Sequence, residues 1–138
     1  MRRLTALVLL LPLAASLGGC GRERRHQVKL SIQQLSSIAA EGALMADDLA
    51  RDRTKTTFVR VHGEELSSQA EHEAEKLNDD PVTPDLHAPI QKAIDLASDI
   101  GSAIDDLRVS PQDRSQAADD RAKLEKWAAE ASKLADSL

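Results

Sequence analysis

The 138-residue chain carries 18 basic and 23 acidic residues, a formal charge of -5, which leaves no basic stripe of the kind that nucleic-acid phosphates require. One Phe, one Trp and no Tyr among 41% hydrophobic residues describe an aliphatic, alanine-rich core and favour long helices over sheets. The length suits one domain with a modest core, and a single cysteine excludes an intramolecular disulfide.

In chain order, Met1, Arg2 and Arg3 make a positive start, and Leu4 to Leu17 (LTALVLLLPLAASL) form an apolar run. As helix that run reaches about 21 Å against a hydrocarbon core of roughly 30 Å. It has the length of a signal-peptide apolar segment rather than of a permanent span, with charge on the side retained in the cytoplasm. Leu17-Gly18-Gly19-Cys20 follows at once: an aliphatic residue, two small residues, then the one cysteine.

This pattern resembles the lipobox of bacterial lipoproteins, and the resemblance covers residues 1 to 20 only. It implies that Leu17, Gly18 and Gly19 are read by the signal peptidase, and that Cys20 carries a diacylglyceryl group and becomes the first residue of the mature chain. The other reading is an ordinary signal peptide cut after Ser16 or Gly19, with Cys20 an unmodified thiol. Two acyl chains, at about 0.8 kcal/mol per buried methylene, cross the threshold for stable anchoring that one chain misses. In a Gram-negative cell, Gly21 rather than Asp after the cysteine implies the outer membrane; otherwise the anchor lies on the outer face of the cytoplasmic membrane. Loss of residues 1 to 19 removes Arg2 and Arg3 and no acid, leaving 16 basic against 23 acidic residues, or -7. Residues 20 to 25 are expected to be a lipidated tether, in which Arg22, Arg24 and Arg25 either meet anionic headgroups at roughly 1 kcal/mol each or are simply solvated.

From His26 onward, apolar residues recur at intervals of three and four, the period of amphipathic helices. Val28, Ile32, Leu35, Ala39, Met45 and Leu49 predict a helix over 26 to 51; Phe58, Val59, Val61, Leu66, Ala70, Ala74 and Leu77 predict its partner over 56 to 78. The segment between holds neither Gly nor Pro, only Thr54, Thr56 and Thr57 as caps, so fusion into one helix stays open. His62-Gly63 falls where the second helix is continuous, which implies either close approach of another helix or a bend. Asn78 to Pro84 (NDDPVTP) is the strongest loop signal. Leu86, Ile90, Ala93, Ala97, Ile100, Ile104 and Leu107 form an unbroken four-three seam, and Pro89 requires that helix to begin near Ala88 or to kink. Ser110 as cap, Pro111 at the first helical position and Asp113 in the first turn predict a last helix over 111 to 137, with Ala117, Leu124, Trp127, Ala131, Leu134 and Leu138 inward. The fold class expected for residues 26 to 138 is all-α: an up-down antiparallel bundle of four helices, or three if the first two fuse. Asp47-Asp48-Leu49 and Asp105-Asp106-Leu107 repeat a triplet, but their upstream seams do not align as a duplication would.

Few residues point to chemistry. His26, His62, His72 and His87 show no metal-ligand spacing, and His62 and His72 lie roughly 80° apart around one helix. Acids cluster at Glu71, Glu73, Glu75, Asp79 and Asp80, and in pairs at Asp47 and Asp48, Glu64 and Glu65, Asp105 and Asp106, and Asp119 and Asp120. They lack the register of a calcium loop and read as solvated helix faces. Haem attachment, a serine elbow and a phosphate loop are all missing, and Trp127 reads as a core anchor. No metal and no cofactor are expected. The expected function is a non-enzymatic, membrane-anchored envelope module that binds an envelope protein or acts as a spacer. The alternative is a small-ligand or metal carrier using His62, Met45 or the acidic pairs.

Overall fold

The four apolar seams become four helices: α1 (Gly19–Ala50), α2 (Thr56–Asp79), α3 (His87–Val109) and α4 (Arg114–Asp136). The computed structural model describes residues 19–79 and 83–138, and over these the chain is an all-α, antiparallel up-down bundle. α1 packs along α4 and α2 along α3; α1 also meets α2 and α3, and α3 meets α4. Among the described residues α2 and α4 do not touch. The cross-section is therefore a rhombus with α1 and α3 on its short diagonal. Glycine makes that diagonal short: a Cβ on Gly42 would stand 3.1 Å from Ile104 Cδ1 and 3.3 Å from Leu124 Cδ1.

Helices one and two stay separate, and an aspartate does the work usually given to glycine. Asp52 has φ 60, the left-handed conformation that closes a helix. The Asp52 N–H donates to Leu49 O at 3.1 Å and the Arg53 N–H to Asp48 O at 2.7 Å, the paired bonds of a Schellman ending. The apolar contact that often accompanies such an ending is here an ion pair, Arg53 Nη2 to Asp48 Oδ1 at 2.8 Å. Asp52 itself reaches Arg114 Nη2 at 2.7 Å, tying the turn to the start of α4.

The other boundaries follow the same accounting of backbone groups. Pro89 is the third residue of α3, after the N-cap residue Leu86, where its missing N–H costs nothing because the first intrahelical bond is Ile90 N–H to Leu86 O at 3.0 Å. α3 thus starts beyond the proline's reach, without a kink. α4 begins three residues later than the Ser110-Pro111 signal implies. Ser110 closes α3, and its carbonyl accepts from the Asp113 N–H at 3.0 Å across a turn with Pro111 second. Asp113 is the actual N-cap, accepting from the Gln116 N–H at 2.9 Å. Residues 80–82 of the NDDPVTP loop lie outside the described residues.

The α3 seam is buried throughout, each of its seven residues 4% exposed or less, and the α1 seam is buried likewise. Two expectations need correction. On α2 the inward row is Val59, Gly63, Leu66, Ala70, Glu73 and Leu77, while Phe58 and Val61 are 53% and 67% exposed. On α4 it is Ala117, Asp120, Leu124, Ala131 and Ala135; Trp127, Leu134 and Leu138 are only partly buried against the core. Gly63 is a close-approach glycine rather than a bend, since an added Cβ would lie 3.3 Å from Arg108 Cβ of α3.

Candidate functional site

The residues singled out for anchoring lie at the start of α1. Leu17 and Gly18 fall outside the described residues, and Gly19 and Cys20 are the first two residues of the helix. α1 begins seven residues before His26, so residues 21 to 25 are helical rather than a loose tether. Arg22, Glu23, Arg24 and Arg25 are good helix formers, and tertiary contacts fix the segment further. Arg25 is ion-paired to Asp85 in the turn before α3. Hydrogen bonding from Thr83, reinforced by Arg25, holds the Asp85 carboxyl below the usual carboxylate range. Arg24 is half-buried in a groove with Lys76, Leu77 and Asp79 at the end of α2. Arg22 is exposed. Arg22 and Arg25 are thus exposed, Arg25 with its ion pair to Asp85, and Arg24 is half-buried.

At the opposite end of α1 the sequence hides a polar knot. The Asp47 side chain, 16% exposed, accepts from Arg51 Nε at 3.0 Å, Arg53 Nη2 at 2.7 Å and Arg121 Nη1 at 2.8 Å. Arg121 also donates to Glu125 at 2.8 Å, and this contact, with Asp47 adding, raises its affinity for the proton. One carboxylate thus joins the end of α1, the following turn and α4. Asp47, Arg51 and Arg53 are near neighbours in the chain, so their clustering is legible there; Arg121 is 74 residues away and carries no local signal.

Two acids read as solvated are core residues. Asp120 is fully buried, its oxygens accepting from Gln116 Nε2 at 2.8 Å and Lys123 Nζ at 2.7 Å. The hydrogen bond to Asp120 holds the Lys123 ammonium above its usual range. Glu73 is buried on α2 and accepts from Lys76 Nζ at 2.7 Å. Every donor here comes from the acid's own helix, so each charge enters the core already neutralised.

The histidines are dispersed. His62 lies on the α1/α2 surface, Nε2 at 2.9 Å from Glu41 Oε1, with its ring stacked on Phe58 at 5.1 Å between centroids. His72 stands 3.9 Å from Glu75; His26 and His87 are exposed. Met45 is buried beneath Gly63. Among the described residues no group of three His, Cys, Asp or Glu side chains converges as a metal site, and no helix is long and apolar enough to cross a membrane. No family model matches the chain, and neither does any curated protein or solved structure.

Proposed function

We propose that the chain is an envelope lipoprotein, held at a membrane by lipid on Cys20, whose bundle is a non-enzymatic interaction or spacer module. The observation that carries this reading is Leu17-Gly18-Gly19-Cys20, with the one cysteine of the chain directly after a charged start and a short apolar run. Depending on the envelope, the anchor lies on the outer face of the cytoplasmic membrane or in an outer membrane. The use made of the polar side chains supports the second half of the proposal. Asp47, Glu73, Asp85 and Asp120 each hold a cation of the bundle itself, which spends them on architecture.

The helical start of α1 gives the proposal a physical corollary. With lipid on Cys20, α1 continues from the anchored residue without a flexible joint, and the bundle stands directly on the bilayer. Intact mass of membrane-extracted protein tests the anchor: the expected species begins at Cys20 and carries lipid. A Cys20→Ser variant should leave the membrane fraction. A chain beginning at Cys20 without lipid, or a serine variant that still sediments with membranes, would overturn the reading.

A further inference from the structure

The negative charge of the bundle is not spread evenly. α1 carries four basic and four acidic residues and α4 five of each, whereas α2 carries two basic against six acidic and α3 two against four. The α2·α3 pair therefore holds -6, and the α1·α4 pair is neutral. Along the outer seam of the acidic pair runs a groove of about 380 Å³. Its floor is small and apolar, formed by Ala74, Ala97 and Gly101, and a Cβ on Gly101 would meet nothing nearer than 3.9 Å. Glu71, Glu75 and Asp105 stand along its rim.

One hydroxyl is left over at this groove. Ser67 is only 7% exposed and lines it, yet its hydroxyl makes no hydrogen bond among the described residues. A helical serine can bond the carbonyl one turn back, as Ser37 does to Gln33 at 3.2 Å, and Ser67 does not. A hydroxyl so placed lacks a partner on the protein side, and the groove is the side from which one can reach it.

We propose that the groove between α2 and α3 receives one face of a basic amphipathic helix from a protein partner. A small-residue floor admits a third helix at ordinary packing distance. From Ile94 to Asp105 the groove runs about 16 Å, room for three helical turns, and Lys or Arg flanking an apolar stripe would meet the rim acids. A polar group at the centre of that stripe would satisfy Ser67. The charge argues against the other occupants: a second copy of this pair would bring another -6 to the interface, and an anionic bilayer is repelled by the same field. The proposal deepens the interaction-module reading of the bundle and is independent of lipid on Cys20.

The test uses the full chain in detergent and a labelled helical peptide of about 18 residues, five turns, with Lys and Arg beside an Ala and Leu stripe. Two control peptides change one property each, Glu replacing the cations or Ser replacing the stripe. Saturable binding is expected for the first, weakened at least roughly tenfold in either control and weakened similarly by Glu75→Lys combined with Ser98→Lys. Both positions are exposed, and circular dichroism checks that the doubly substituted bundle remains folded. Amide shifts should centre on Ser67, Ser98 and Gly101. Absence of binding, equal binding of both cationic peptides, or binding indifferent to the double substitution would overturn the proposal. So would sedimentation showing that the groove closes on a second copy. Membrane attachment of the same preparation, measured separately, keeps failure here distinct from failure of the anchor.

Discussion

α1 and α4 bind each other with polar as well as apolar groups. Ser36 Oγ donates to the Ala128 carbonyl at 2.9 Å, and Arg121 reaches Asp47 at 2.8 Å. α2 and α3 also pack along each other, but among the described residues no ion pair within 4.0 Å joins them, and their outer seam is left open and acidic. Both are antiparallel helix pairs; they differ in where the charges are satisfied. A helix pair whose charges answer one another inwardly is complete. One that holds unanswered charge of a single sign beside an open seam is shaped for something else.

Substitutions can break or sharpen that contrast. The largest effect is expected at Ile104, which packs against Gly42 of α1 and Gly63 of α2 and so fastens one pair to the other. Ile104→Ala should cost about 2–5 kcal/mol in denaturant unfolding; a loss below about 1 kcal/mol would mean that the pairs do not depend on this residue. Next come two glycines that look alike in sequence. Gly42→Ala forces a Cβ against Ile104 and should destabilise by about 1–3 kcal/mol. Gly101→Ala adds a Cβ that meets Ser67 Oγ at 3.9 Å and Ala70 Cβ at 4.0 Å, ordinary contacts, and should stabilise by up to about 1 kcal/mol through helix propensity. Equal signs for the two would refute the claim that one lies on a tight diagonal and the other on an open groove.

Smaller effects are expected at the two ends. Asp52→Gly relieves a left-handed aspartate at the cost of an exposed pair with Arg114, for a net gain below about 1 kcal/mol; a clear loss would show that the Arg114 contact outweighs backbone strain. At Asp85 the folded-state pKa lies below the unfolded one, so its contribution is present above about pH 4 and is lost as pH falls through the depressed value. Wild type should therefore exceed Asp85→Asn in urea midpoint at neutral pH, and the difference should close on acidification. A gap that persists at low pH would place its origin elsewhere.

How much of this was legible in the chain depended on what occupied the seams. The α3 row contains only Leu, Ile and Ala, so its period was readable and every expected residue is buried. The α2 row keeps an equally regular spacing, but Gly63 and Glu73 fill two of its places, and Phe58 and Val61 beside it drew the reading outward. Asp120 plays the same part on α4. A buried carboxylate satisfied within its own helix leaves no hydrophobic trace. The break after α1 was obscure because its left-handed residue is Asp52, not Gly or Asn. The anchor was legible as a motif, while the pairing of Arg25 with Asp85, 60 residues on, was not, and the open groove appeared only once α2 and α3 were set side by side.

The rhombic section bears on how the bundle comes apart. Since the backbones of α2 and α4 do not approach each other among the described residues, loosening of either one reaches the other mainly through α1 or α3. Local opening should then proceed from α2 and α4 at the acute, far corners, and the amides slowest to exchange their hydrogens should line the facing turns of α1 and α3 around Gly42 and Ile104. That short diagonal is the keel of the molecule, the last part to yield when either flank frays.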